Sequence, residues 1–263
     1  MTELNDALLD GKVVLISGGT QGLGAAVATA AARNGADVAV TGRREDVGEK
    51  FVAGLAETGT RALYVHADAA DVAQSVAAVD ATVEHFGRVD CLVNSAGLTT
   101  RGTLLDTTPA LFDEHMAVNA RAPFFLMQAA VRDMVTRGAG GSIVNIITMS
   151  AHGGQPYLAP YVASKSALVG LTRNAAFAHR WDRIRINGVN IGWTETAGED
   201  ATQRRFHDAD DDWLEKAAAS VPMGKLGQVD EIADFVVFLL SERSGVVTGS
   251  VMDWDQMVPG AHE

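Results

Sequence analysis

The chain has 263 residues, 47% of them hydrophobic, with 27 glycines and only 6 prolines, which is enough apolar material for a sizeable core of closely packed helices and strands. Its net charge of −12 argues against nucleic acid as a partner, because phosphate binding needs clustered Lys and Arg. The only cysteine, Cys91, sits in an apolar run; it rules out a disulfide framework within one chain and reads as a buried thiol in a reducing, cytoplasmic setting.

The acidic segment 1–10 lacks the basic and apolar regions of a signal peptide. No apolar run reaches the roughly 18 residues of a membrane span, so no membrane association is expected. The apolar run 12–16, a glycine-rich turn and the Ala-rich segment 25–34 read as strand, loop and helix. Residues 37–41 form the next predicted strand, and a strand–helix–strand unit of this length implies a parallel crossover. The turn is spaced Gly18-x-x-x-Gly22-x-Gly24, wider than G-x-G-x-x-G. Glycines there let the backbone approach a pyrophosphate at a helix N-terminus, whose free N–H groups favour anions. A ligand-free glycine turn is the plainer alternative.

In dinucleotide folds the end of the second strand carries an acid that binds the ribose of NAD, or an arginine that accommodates the extra phosphate of NADP. Here Thr41 and Arg43 stand in place of the acid, which favours NADP(H) over NAD(H); Arg44 reads as a solvating residue. A helix at 45–59 and a strand at 61–66 follow, with Asp71 as the N-cap of the next helix. Residues 90–93 form a fourth strand that runs into Asn94-Ser95-Ala96-Gly97, where small side chains allow close backbone approach. The span 109–135 has helical periodicity throughout, and Asn119 interrupts its apolar face. A buried amide needs partners there, since an unpaired one costs about 1–3 kcal/mol.

Residues 142–147 form strand five, and 159–178 a long helix carrying Tyr161 and Lys165. These two lie one helical turn apart, so their side chains share a face. An ammonium beside a phenol favours the phenolate, so the pair reads as a tuned acid/base, although such a pair taken alone is more often a surface pair on a helix. His152, between the two elements, reads as a solvated loop residue. A sixth strand at 183–189, an acidic stretch at 196–220 that reads as a solvated lid, a helix at 230–240 and a last strand at 246–252 complete the chain. The lid acids fit no calcium-loop spacing, and no metal site is expected. Asp253 and Asp255 read as solvated strand-end residues.

The glycine spacing, Asn94-Ser95-Ala96-Gly97 and Tyr161-x-x-x-Lys165 together resemble the short-chain dehydrogenase/reductase family, in the family's order and over 12–251. The resemblance implies a single domain over 1–263, α/β, a doubly wound parallel sheet of about seven strands with helices on both faces, and a lid at about 196–220. It implies cofactor contacts from Gly18, Thr20, Gln21, Gly22, Leu23, Arg43, Asp68 and Ala69 in the first half. Further contacts come from Asn94, Ala96, Gly97, Tyr161, Lys165, Gly192, Thr194 and Thr196. Asp68 is then expected beside the adenine, and Asn94 to tie strands together.

The catalytic set implied is Asn119, Thr148, Tyr161 and Lys165. Thr148 stands where the family has serine, with Ser150 in reserve, and Ile191 stands where it has proline. Asn119 is expected to support a proton path through water. The implied activity is reversible hydride transfer between NADP(H) and a small-molecule secondary alcohol/ketone, by a homotetramer or homodimer. Two other readings stay open: a non-catalytic NADP(H)-binding regulator on the same fold, and a sugar-nucleotide epimerase, which the short chain disfavours.

Overall fold

The computed structural model describes residues 7–260, so the reading of segment 1–10 falls mostly outside the described residues. In chain order the first half runs β1 (Val13–Ser17), α1 (Gly22–Arg33), β2 (Asp37–Gly42), α2 (Glu45–Glu57), β3 (Ala62–His66), α3 (Val72–Phe86) and β4 (Cys91–Asn94). The centre holds α4 (Pro109–Met116), α5 (Ala122–Arg137), β5 (Gly141–Thr148), α6 (Ala159–His179) and β6 (Ile184–Ile191). Then come β7 (Thr194–Glu195), α7 (Ala197–Phe206), α8 (Trp213–Ala219), β8 (Gly227–Gln228), α9 (Val229–Leu240) and β9 (Val251–Trp254).

Seven strands pair in the order β3-β2-β1-β4-β5-β6-β9, every pairing parallel. Alternation along β1 shows why helices cover both faces. Val14 and Ile16 pack with Val27, Ala28, Ile232 and Val236 from α1 and α9. Val13 and Leu15 pack with Val79, Leu126 and Met134 from α3 and α5. A strand buried on both faces needs apolar residues at successive positions, which is what the run Val13–Ile16 supplies. Strand order reverses between β1 and β4, so a crevice opens at the carboxyl ends of these strands.

Local signals set the helix ends. The Asp71 carboxylate accepts from Ala73 N and Gln74 N at 2.8 and 3.1 Å, the N-cap expected of it. Thr108 caps α4 with Pro109 in the first turn, and Gly87 closes α3 at φ 84°.

Three expectations need correction. The helix at 109–135 is not continuous: a π-helical turn, Ala117–Arg121, separates α4 from α5 and contains Asn119, where the amide's partners lie off the helix axis. The segment expected to form a lid is not one helix but two, joined through 207–212. The last strand is Val251–Trp254 rather than 246–252, because Gly245 and Gly249 take positive φ and turn the chain before it reaches β6. No helix among the described residues is long and apolar enough to cross a membrane.

Candidate active site

The glycine turn follows β1 at the centre of the sheet. A Cβ on Gly18 would meet Ala96 Cα at 2.7 Å, and one on Gly24 would meet the Gly18 carbonyl oxygen at 2.1 Å. The turn and the first turn of α1 are therefore in backbone contact, which only glycine permits. Thr41 braces the turn, its Oγ1 accepting from Gly18 N at 3.3 Å and its carbonyl from Gly19 N at 3.0 Å. Gln21, the residue before α1, makes no side-chain cap bond. The first N–H groups of α1 thus have no side-chain acceptor, and the positive end of the helix faces the turn. This cradle suits a pyrophosphate. Leu23 links it to the main cleft, Thr20 packs against Gly42, and Gly22 holds φ 53°.

Arg43 and Arg44 flank the cradle at the end of β2, both exposed. Arg44 hydrogen-bonds the Gln21 side chain across the turn, so it does more than solvate. Arg43 makes no hydrogen bond or ion pair among the described residues. At the end of β3, Asp68 Oδ1 accepts from Ala70 N at 2.9 Å, which shapes the turn holding the half-buried Ala69.

Asn94 ends β4 and donates to Asn145 Oδ1 at 2.7 Å; Asn145 in turn donates to Thr172 Oγ1 at 2.9 Å. This buried chain ties β4, β5 and α6 together, as expected of Asn94. Asn145 and Thr172 were not singled out from sequence, where each looks like any polar residue in an apolar run. Asn119 Oδ1 accepts from Leu98 N at 2.8 Å, while its Nδ2 donates to Leu98 O at 2.9 Å and Ser164 Oγ at 3.0 Å. The amide is satisfied on both sides and clamps the strand of residues after Gly97 to α6. The Cβ direction of Gly97 points to a space shared by Asn119 Oδ1 and Lys165 Nζ, 3.7 and 3.8 Å from that point.

Thr148 ends β5, and Tyr161 and Lys165 lie in the first two turns of α6. The Thr148 hydroxyl accepts from Ser150 N at 3.2 Å and lies close enough to the Tyr161 phenol to act on it electrostatically. Strand five stops at Thr148, and Ser150, which bonds Gln155, lines the same cleft. Burial pushes the Tyr161 phenol up to about 12, against a smaller downward pull from the Thr148 hydroxyl. The expected lowering by Lys165 is not found in the free chain: the charges that act on the phenol are Glu199, which raises it, and Arg101, which lowers it. Lys165 Nζ donates to the Ile146 carbonyl at 2.8 Å, and burial lowers it to about 8.

Thr148 and Tyr161 open into a cleft of about 890 Å³, with Leu23, Gly192, Thr194 and Thr196 on its wall. Thr194 Oγ1 bonds the Gly192 carbonyl, and Thr196 caps α7 through Glu199 N. A Cβ on Gly192 would lie 2.0 Å from Asp255 Oδ1, so a side chain there would require Asp255 to move. Arg43, Asp68 and Asn94 are not among the residues lining this cleft. The lid brings in Glu199, which accepts from Trp193 Nε1 at 2.9 Å and Gln203 Nε2 at 2.7 Å. Three of its other acids are paired: Asp200 with Trp213 and Arg204, Asp210 with Lys216, Asp211 with Arg204. Among the described residues no group of three or more His, Cys, Asp or Glu converges as for a metal ion. His152 is not a free loop residue, since Nε2 lies 2.9 Å from Asp253 Oδ1, which also accepts from Asn190 Nδ2 at 2.7 Å. Against the burial that favours the neutral acid, these bonds hold the Asp253 carboxyl below its ordinary range.

A family model described as Enoyl-(Acyl carrier protein) reductase matches residues 18–256. An uncharacterized oxidoreductase of Thermotoga maritima is 37% identical, covering 93% of this chain and 96% of the relative. The L-rhamnose 1-dehydrogenase (NAD(P)(+)) of a Sphingomonas species is 35% identical, covering 93% and 95%. Among solved structures, L-sorbose reductase from Gluconobacter frateurii, complexed with NADPH and L-sorbose, superposes with a TM-score of 0.92 at 28% identity, covering 98% and 100%.

Proposed function

Because the chain belongs to the short-chain dehydrogenase/reductase family, we propose that it moves a hydride reversibly between NADP(H) and a secondary alcohol/ketone, with Tyr161 as acid/base. The protein is an oxidoreductase of alcohol and carbonyl groups; the relative from Sphingomonas and the sorbose reductase are named for such chemistry. The observation that carries the finer reading is that Thr148 and Tyr161 line one cleft that reaches the glycine cradle through Leu23.

The cradle fits a dinucleotide: the Gly18 and Gly24 contacts leave room only for backbone, and the start of α1 presents unclaimed donors. Gly18, Thr20, Gln21, Gly22 and Leu23 would hold its pyrophosphate side. Asp68, Ala69, Asn94, Ala96 and Gly97 would line the path of its adenine and ribose groups, and Gly192, Thr194 and Thr196 the nicotinamide end. Arg43, exposed beside the cradle and unengaged by any acid, favours NADP(H). When bound, the nicotinamide supplies or accepts the hydride.

The chain's own groups handle the proton. Tyr161, protonated at neutral pH, gives its proton to the substrate oxygen during reduction and takes it back during oxidation. Thr148, fixed by Ser150 N, hydrogen-bonds the same oxygen as charge develops. Lys165, close to its neutral form near pH 8, holds the cofactor ribose and steadies the phenolate. Asn119 keeps the π-helical turn against α6 and supports the proton path from Lys165. The non-catalytic reading rested on Thr148 and Ile191; Thr148 keeps a hydroxyl against Tyr161, and no observation favours that reading further.

A homotetramer or homodimer and a cytoplasmic setting belong to the same proposal. The outer faces of α5 and α6 leave Phe124 and Phe177 exposed, and Trp181 just beyond is 84% exposed, which suits a subunit interface. The free, buried Cys91 thiol suits a reducing compartment. The test is turnover of a ketone panel with NADPH by the wild type and Tyr161→Phe. Loss of turnover by about 10²–10⁴-fold with NADPH binding kept supports the assignment; equal activity in the variant ends it.

A further inference from the structure

The cleft holds a cation that no carboxylate neutralises among the described residues. Arg101, half-buried, is the only lysine or arginine lining the cleft among the described residues. Its Nε and Nη2 donate to His207 Nε2 at 3.2 and 3.0 Å, and Nη1 donates to the Thr99 carbonyl at 2.9 Å. Tyr157 and Phe206 flank it, with ring centroids 5.5 and 5.8 Å from the guanidinium carbon. All of these partners are neutral acceptors or aromatic faces, provided His207 offers its lone pair. No carboxylate forms an ion pair with it among the described residues. The guanidinium is thus held in place with its charge intact and part of its donor fork unused, the state that suits recognition of a planar anion.

The other charges of the cleft give the position a direction. Glu199 and Asp255 also line it. Both Glu199 and Arg101 act on Tyr161, the first raising its pKa and the second lowering it, so each lies within electrostatic reach of the phenol. Glu199 takes its hydrogen bonds from Trp193 and Gln203 rather than from Arg101. An anion entering a chain of net charge −12 therefore meets attraction only at the Arg101 corner and repulsion along the Glu199 and Asp255 wall. A cleft of about 890 Å³ has room for a substrate with a second end beyond the reacting carbon.

We propose that Arg101 is a specificity-determining residue that seats an anionic group, a carboxylate above all, at the end of the substrate remote from the carbon facing Tyr161. The substrates are then hydroxy acids and keto acids whose two functional groups are separated by several carbons. The proposal rests on the oxidoreductase reading and narrows its substrate class. A rival role for Arg101 is mechanical: through His207 and Tyr157 it also joins the lid to the loop before α6.

The experiment measures kcat/KM on 4-hydroxypentanoate and 4-hydroxycyclohexanecarboxylate, each beside its primary amide, with NADP⁺ and NAD⁺, for the wild type, Arg101→Gln and Arg101→Lys. The expected result is preference for acid over amide, with the acid/amide ratio falling about tenfold or more in Arg101→Gln and less in Arg101→Lys. Added salt should erode the wild-type ratio. Equal rates on acid and amide, or a parallel loss on both in Arg101→Gln, would overturn the anion site and leave the oxidoreductase reading standing. Should Arg101→Gln fail to fold, an unchanged ratio in Arg101→Lys together with a salt-independent wild-type ratio overturns it instead. No turnover of either probe by the wild type, across both dinucleotides, would count against the proposal and the reading beneath it.

Discussion

The Lys165 ammonium donates to the Ile146 carbonyl oxygen at 2.8 Å, inside the carboxyl edge of the sheet. That one bond and full burial leave the amine poorly solvated, which is why its pKa drops to about 8. Tyr161, one helical turn before it, is buried as well and moves the opposite way, to about 12. The two groups that the proposed chemistry needs are therefore both held away from their charged forms, and that has consequences for stability.

Stability should rise with pH between about 8 and 10.5 on account of Lys165. The unfolded chain holds the lysine proton up to its ordinary 10.5, while the folded chain gives it up near 8, so across that window the unfolded state binds more protons. Tyr161 acts in the other sense from about 10 upward, since the folded chain keeps a proton that the unfolded chain has released. Lys165→Met removes the first effect. At pH 7 the variant should be more stable than the wild type by on the order of 1–3 kcal/mol, and inactive; the gap should close as pH approaches 10. Denaturant melts across this range test it, and a variant less stable at every pH would show that the bond to Ile146 outweighs the desolvation.

Arg43→Ala should weaken NADPH binding by about tenfold or more and leave NADH binding nearly unchanged, because the exposed guanidinium pairs with no acid among the described residues. Titration of both dinucleotides by fluorescence reads the difference. Equal weakening of the two would remove the preference for NADP(H), and Arg44, already bonded to Gln21, would be the next position to vary.

Gly24→Ala should abolish dinucleotide binding and cost about 1–3 kcal/mol of stability. Its Cβ would lie 2.1 Å from the Gly18 carbonyl oxygen, a backbone atom that cannot move without opening the turn. Gly54→Ala is the control: it lies within α2 with nothing near its Cβ direction, and the substitution should stabilise slightly. A Gly24→Ala protein that binds NADPH like the wild type would mean that the turn is looser than its contacts indicate.

Much of this architecture follows from local pattern. Doubly apolar strands, an Ala-rich helix after a glycine turn, the Asp71 cap and the one-turn spacing of Tyr161 and Lys165 are near-neighbour effects, and a sequence states those directly. Local pattern also overreached where distant partners intervened. Asn119 bends its helix into a π turn because Leu98 and Ser164 claim its amide from outside the helix. His152 is pinned by Asp253, about a hundred positions along the chain, and the expected 246–252 strand becomes Val251–Trp254 because Gly245 and Gly249 turn the chain before it pairs with β6. The direction of the pKa shifts at Tyr161 and Lys165, and the lack of a carboxylate paired with Arg101 among the described residues, belong to the tertiary structure alone. Each depends on how much water and which charges reach a group, and those are set by segments that meet only when the sheet has formed.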